Sequence, residues 1–185
     1  VLIFKTQPAT LARYQKRFSH FLVDEYQDIN GVQNEMIKLL AGREKNLSVV
    51  GDHNQTIYGW RGSDIEIFLS FERDWPRGQL IFLGENYRST QNIIEAAAAL
   101  VKNNFQKPAG LKEDALWTKN PGGELLAVKE VEDEMEEAEW IAREIESGIR
   151  NNELRMGEEK SLGVLYRTNA QSRAIEQALL EKEIP

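Results

Sequence analysis

Apolar residues fall along the chain in two alternating patterns, short unbroken runs and sets recurring at helical spacing. Phe21, Leu22 and Val23 form a run without polar alternation, which predicts a strand over 20–24 covered on both faces, as in a parallel sheet. Residues 47–50 and 80–83 predict two further strands. Between these runs come predicted helices. Pro8 suits the first turn of one bearing Leu11, Tyr14 and Phe18. Asn30 with Gln33 caps a second, which carries Met36, Ile37, Leu39 and Leu40 and ends at Gly42. Ser63 with Glu66 caps a third, with Ile65, Ile67, Phe68 and Phe71.

The alternation resumes further on. Ser89 or Thr90 caps a helix running through Ala96 and Ala99 to about residue 101. Pro108, Gly110, Pro121, Gly122 and Gly123 then mark 103–123 as an extended connection. A strand is predicted over 125–131, followed by a helix capped by Asp133, bearing Trp140, Ile141 and Ile145 and closed by Gly148. Residues 162–166 predict another strand, and Thr168 with Gln171 caps the final helix. Strand and helix alternating in this way predict an α/β fold with parallel sheets, in parts of two units, 1–86 and 87–185.

Composition narrows the class. With 185 residues, 41% of them hydrophobic, the chain can bury a core of one or two domains. The lack of cysteine excludes disulfides and thiolate metal sites and favours an intracellular setting. No apolar run reaches the ~18 residues of a membrane span, so no membrane partner is expected. A net charge of −7 argues against a small basic nucleic-acid module. That average does not describe every surface, because Glu130, Glu132, Asp133, Glu134, Glu136, Glu137 and Glu139 gather in one stretch that reads as a solvated helix start. Beginning at Val1 and stopping at Pro185, the chain reads as an internal piece of a longer one.

Three polar turns hold the candidate chemistry. Asp24, Glu25 and Asp28 follow the first apolar run, at the strand end where open parallel sheets bind ligands. Paired carboxylates there suit a Mg²⁺ ion and a water poised for attack on phosphate; the same stretch also reads as a solvated acidic turn. The second turn, residues 51–62, puts Gln55, Tyr58, Trp60 and Arg61 close together. Gln55 suits a water or a terminal phosphate, and Tyr58 and Trp60 offer faces for unpaired bases beside the Arg61 charge. Trp60 also reads as a core residue. The third turn pairs Tyr87, able to stack on a base, with Arg88, whose planar fork suits phosphate, or an interdomain salt bridge.

Taken together these turns resemble superfamily 1 DNA helicases of the UvrD/Rep/PcrA family. Val23-Asp24-Glu25-Tyr26-Gln27-Asp28 resembles the Walker B, or second, motif, residues 51–62 the third and Glu85-Asn86-Tyr87-Arg88-Ser89-Thr90 the fourth. Residues 165–173 resemble a block of the second motor domain. The resemblance implies parts of two RecA-like P-loop NTPase motor domains, in an ATP-dependent enzyme moving 3′ to 5′ on single-stranded DNA and unwinding duplex junctions. It implies that Asp24 holds Mg²⁺ of Mg-ATP, that Glu25 is the general base, and that Gln55 senses the γ-phosphate. It further implies that Tyr58, Trp60 and Arg61 face DNA, that Tyr87 stacks on adenine, and that Arg88 is an arginine finger. No Gly-x-x-x-x-Gly-Lys-Thr/Ser occurs, so the phosphate loop is expected from the remainder of the polypeptide, and these residues alone are not expected to hydrolyse ATP. Two other readings are a non-catalytic interaction module built on the same core and the helicase part of a helicase-nuclease.

Overall fold

The computed structural model describes residues 1–42, 46–104, 116–151 and 162–184. Two compact units divide at Leu126 and Ala127.

In the first unit, α1 (Leu2–Thr6) and α2 (Pro8–Arg17) lead into β1 (Phe21–Val23). After a 3₁₀ turn at Tyr26–Asp28, α3 (Gly31–Ala41) returns the chain to β2 (Leu47–Val49). The α3 start is the predicted capping box: Gln33 N–H donates to Asn30 Oδ1 at 3.0 Å, and Asn30 N–H donates to Gln33 Oε1 at 2.8 Å. Gly42 ends α3 at φ 54°, a conformation that favours glycine. β1 and β2 pair in parallel, Phe21 opposite Leu47 and Val23 opposite Val49. Their ladder continues past both strands, with Val50 N–H donating to Val23 O and Tyr26 N–H to Val50 O, both at 2.9 Å. The two carboxyl ends are thereby locked side by side.

The helices α4 (Ile65–Leu69), α5 (Phe71–Asp74) and α6 (Gln91–Val101) complete this unit. Tyr26, Ile29, Ile37 and Ile67 form its core, with Val23, Leu47, Val49, Phe68 and Phe71 packed against them. Lys38 and Asp74, 2.6 Å apart, tie α3 to α5. In the second unit α7 (Glu134–Arg150) packs on α8 (Ser172–Glu181) through Ile175 and the small side chains of Ala138, Ala142 and Ala178. Glu146 and Lys182 join the same two helices at 2.7 Å. Asp133 caps α7 by accepting from the N–H groups of Met135 and Glu136. Among the described residues no helix is long and apolar enough to cross a membrane.

Several expectations are corrected. Leu22 is 83% exposed, so β1 is covered on one face only. Residues 80–83, 125–131 and 162–166 form no paired strand, and Ile81, Leu83, Leu125, Val128 and Leu165 are exposed. A strand exists only with a neighbour to complete its ladder, and the described residues supply none for these runs. The helix after residue 62 is capped by Asp64, whose Oδ1 accepts from Glu66 N–H, and not by Ser63. Gly148 is buried within α7, which runs on to Arg150. At α8 the predicted pair acts in reverse: Gln171 Oε1 accepts from the N–H groups of Arg167 and Thr168. Of the predicted connection over 103–123, residues 105–115 lie outside the described residues. Its later part folds back on the 85–92 segment, through a Glu85–Trp117 bridge and through Asn92, whose amide donates to the carbonyls of Gly123 and Glu124.

Candidate nucleotide and nucleic-acid site

The joined strand ends set Asp24-Glu25 beside Gly51-Asp52. Asp24 and Glu25 are both exposed, and Asp24 Oδ1 accepts from Glu25 N–H at 2.9 Å. Glu25 adopts the left-handed conformation at φ 49° and ψ 46°. For a residue with a Cβ this costs roughly 1–2 kcal/mol, so the surrounding turn must enforce it. Glu25 Oε2 accepts from Gln27 Nε2 at 2.8 Å, and Gln27 Oε1 accepts from Asp52 N–H at 3.0 Å. Gln27 is 1% exposed. Asp52 in turn accepts from Asn54 N–H through Oδ1, at 2.9 Å, and from Gln55 Nε2 through Oδ2, at 2.8 Å. A continuous hydrogen-bonded chain therefore runs from Gln55 through Asp52 and Gln27 to the Glu25 carboxylate.

Burial, and secondarily the Glu25 charge, push the Asp28 carboxyl above the usual carboxylate range. The donor set Asp24 and Glu25 is oxygen only. Among the described residues no group of three or more His, Asp or Glu side chains converges on one point. Paired carboxylate oxygens of this kind can hold a hard cation, which takes further oxygens from waters and substrate phosphates.

The same loop ends in an exposed aromatic cluster. Trp60 is 75% exposed, and its ring lies 6.4 Å from that of Tyr58. The Arg61 guanidinium stands 4.6 Å from the Trp60 ring centroid and 5.4 Å from that of Tyr58. A guanidinium on two aromatic faces is held by cation–π attraction, leaving flat apolar surface and positive charge open to solvent together.

Tyr87 and Arg88 are also exposed. Asn86 Oδ1 accepts from the N–H groups of Arg88 and Ser89 and so sets that turn. Tyr87 O–H donates to Glu85 Oε2 at 2.9 Å, while Lys119 lies 2.8 Å from the other oxygen of Glu85. The Lys119 hydrogen bond, aided by that from Tyr87, holds the Glu85 carboxyl below the usual range. Among the described residues, no hydrogen bond or ion pair ties Tyr87 or Arg88 to Asp24, Glu25 or Gln55. Hydrogen bonds thus join the first two predicted turns. Gln27 is the member that the sequence reading passed over. Its only signal was an amide among acids directly after an apolar run.

Two family models match the chain: the UvrD/REP helicase N-terminal domain over residues 1–76 and the UvrD-like helicase C-terminal domain over residues 81–185. The expected RecA-like P-loop NTPase fold is that of these domains. Over 183 residues the chain is 45% identical to ATP-dependent DNA helicase PcrA of Staphylococcus epidermidis and to that of Staphylococcus aureus, covering 99% of this chain and 24% of each relative. It spans about a quarter of the length of the curated relatives it matches.

Proposed function

Because the chain belongs to the UvrD/REP helicase family, we propose that it is the middle of an ATP-driven DNA motor, with residues 1–86 closing the first motor domain and 87–185 opening the second. The whole protein is then a 3′-to-5′ helicase acting on single-stranded DNA and duplex junctions. The two family models meet between residues 76 and 81, in support of a boundary in this region. The observation that carries the reading is the single loop 51–62, hydrogen-bonded to the Glu25 turn at one end and exposing Trp60 and Arg61 at the other. A loop so built can report events at a phosphate to a DNA strand.

In this reading Asp24 holds Mg²⁺, which when bound neutralises charge on the ATP phosphates. Glu25 accepts the proton of the attacking water, and Gln55 touches the terminal phosphate. Tyr87 stacks on adenine, and Arg88 stabilises transition-state charge once the domains close. Tyr58 and Trp60 stack on unpaired bases, with Arg61 near a phosphate. Glu25→Gln in the full-length protein tests this assignment. The amide keeps size and polarity without accepting a proton, so turnover should fall by about 10²–10⁴-fold while Mg-ATP binding persists. Near-normal turnover would reject Glu25 as the base.

A further inference from the structure

Gln27 has the burial and bonding of a part built for one task. A primary amide offers one acceptor oxygen and two donor hydrogens. Here the oxygen accepts from Asp52 N–H at 3.0 Å, one hydrogen goes to Glu25 Oε2 at 2.8 Å, and Asp28 Oδ2 lies 3.5 Å from the same nitrogen. The partners fix which way the amide faces. Turning it over would set its oxygen against a carboxylate and its N–H₂ against a backbone N–H, two repulsions in place of two bonds. No other common side chain of this length donates at one end to a carboxylate and accepts at the other from the main chain.

Gly51 is matched to it. A Cβ at that position would lie 2.5 Å from Gln27 Oε1 and 2.8 Å from the Phe68 ring, so the close approach that Gln27 makes to the 51–55 turn requires glycine there. Glu25, by contrast, is an exposed side chain on a left-handed residue, and among the described residues its carboxylate takes a side-chain hydrogen bond from Gln27. The strands lock the two backbones together; Gln27 carries that alignment out to a side chain.

We propose that Gln27 is a positioning residue that holds the Glu25 carboxylate and couples it, through Asp52, to Gln55. Movement of the 51–62 loop at either end is then transmitted to Glu25 as a change in its orientation. This rests on the reading of Glu25 as the general base.

The test uses the full-length protein, with single-turnover hydrolysis, Mg-ATP affinity and stimulation by single-stranded DNA measured for each variant. Gln27→Met keeps the length and removes both hydrogen bonds. Gln27→Glu keeps the acceptor for Asp52 N–H but sets a second carboxylate against Glu25. Both should bind Mg-ATP within a few-fold of wild type, while the rate of hydrolysis falls by about 10²-fold, the scale set by misplacing a catalytic group by ~1 Å. Stimulation by DNA should fall with it. In a Glu25→Gln background, Gln27→Met should add no further loss, because the group it positions is already disabled. If Gln27→Met hydrolyses ATP at the wild-type rate while Glu25→Gln does not, the positioning role is wrong and the base assignment stands. If Glu25→Gln remains active, the base assignment itself fails. Loss of Mg-ATP binding in both position-27 variants, or additive loss in the double variant, assigns Gln27 to the fold of the turn and overturns the proposal.

Discussion

Replacing Trp60 by alanine separates a DNA-facing tryptophan from one that merely completes the fold. With 75% of its surface already in water, only about a quarter of a ~250 Å² side chain leaves the protein on truncation. At ~25 cal/mol per Å² this is at most ~1.5 kcal/mol of lost burial, an upper bound because unfolded chains also bury surface. Losing the Arg61 guanidinium contact, 4.6 Å from the ring centroid, removes a further ~0.5–1 kcal/mol. Against a total stability of ~5–15 kcal/mol the protein should remain folded, with a modestly lower melting temperature. The DNA term is larger. Base–aromatic stacking contributes ~1–3 kcal/mol, equivalent to a ~5–150-fold loss of affinity for single-stranded DNA. The assay is a fluorescence anisotropy titration of a labelled oligothymidine with the full-length protein at fixed salt, since phosphate contacts make such affinities salt-dependent. ATP binding without DNA should be unchanged, and Trp60→Phe should retain most of the affinity. DNA affinity within twofold of wild type in the alanine variant would refute the stacking role, and loss of the folded transition would refute the surface accounting.

Arg88→Ala should show the converse pattern, with ATP turnover falling about 10³-fold, the lower end for an arginine finger, and nucleotide-free DNA affinity nearly constant; equal turnover in quench-flow measurements would reject that role. In the second unit, the Lys182 hydrogen bond, reinforced by the Arg150 charge, holds the Glu146 carboxyl below the usual range. A lowered carboxyl pKa stabilises the folded state above the unfolded value of ~4.3, and that contribution is lost as pH falls through the folded value. The melting-temperature advantage of wild type over Lys182→Met should therefore be steady near neutral pH and shrink below about pH 4; a difference independent of pH would refute it.

Local chemistry makes much of this molecule readable from its sequence. Asn30 and Gln33 bond only to each other's neighbourhood, so their capping box could be read from spacing alone, and Asp133 likewise fixed the start of α7. The Asp24-Glu25 and Gln55 turns were legible for a related reason: acids and amides that follow short, largely apolar stretches mark the carboxyl ends of parallel strands. What needed the tertiary structure was everything set by non-local partners. Whether an apolar run becomes a strand depends on a neighbour's backbone, which is why 47–49 pairs with 21–23 while 80–83, 125–131 and 162–166 do not. Composition could not decide between a buried and an exposed Trp60; only the path of the loop around it did. The place of Gln27 was hidden most completely, because it meets Asp52 through a parallel ladder closed over a sequence separation of 25, and no local pattern records which groups such a closure will set face to face.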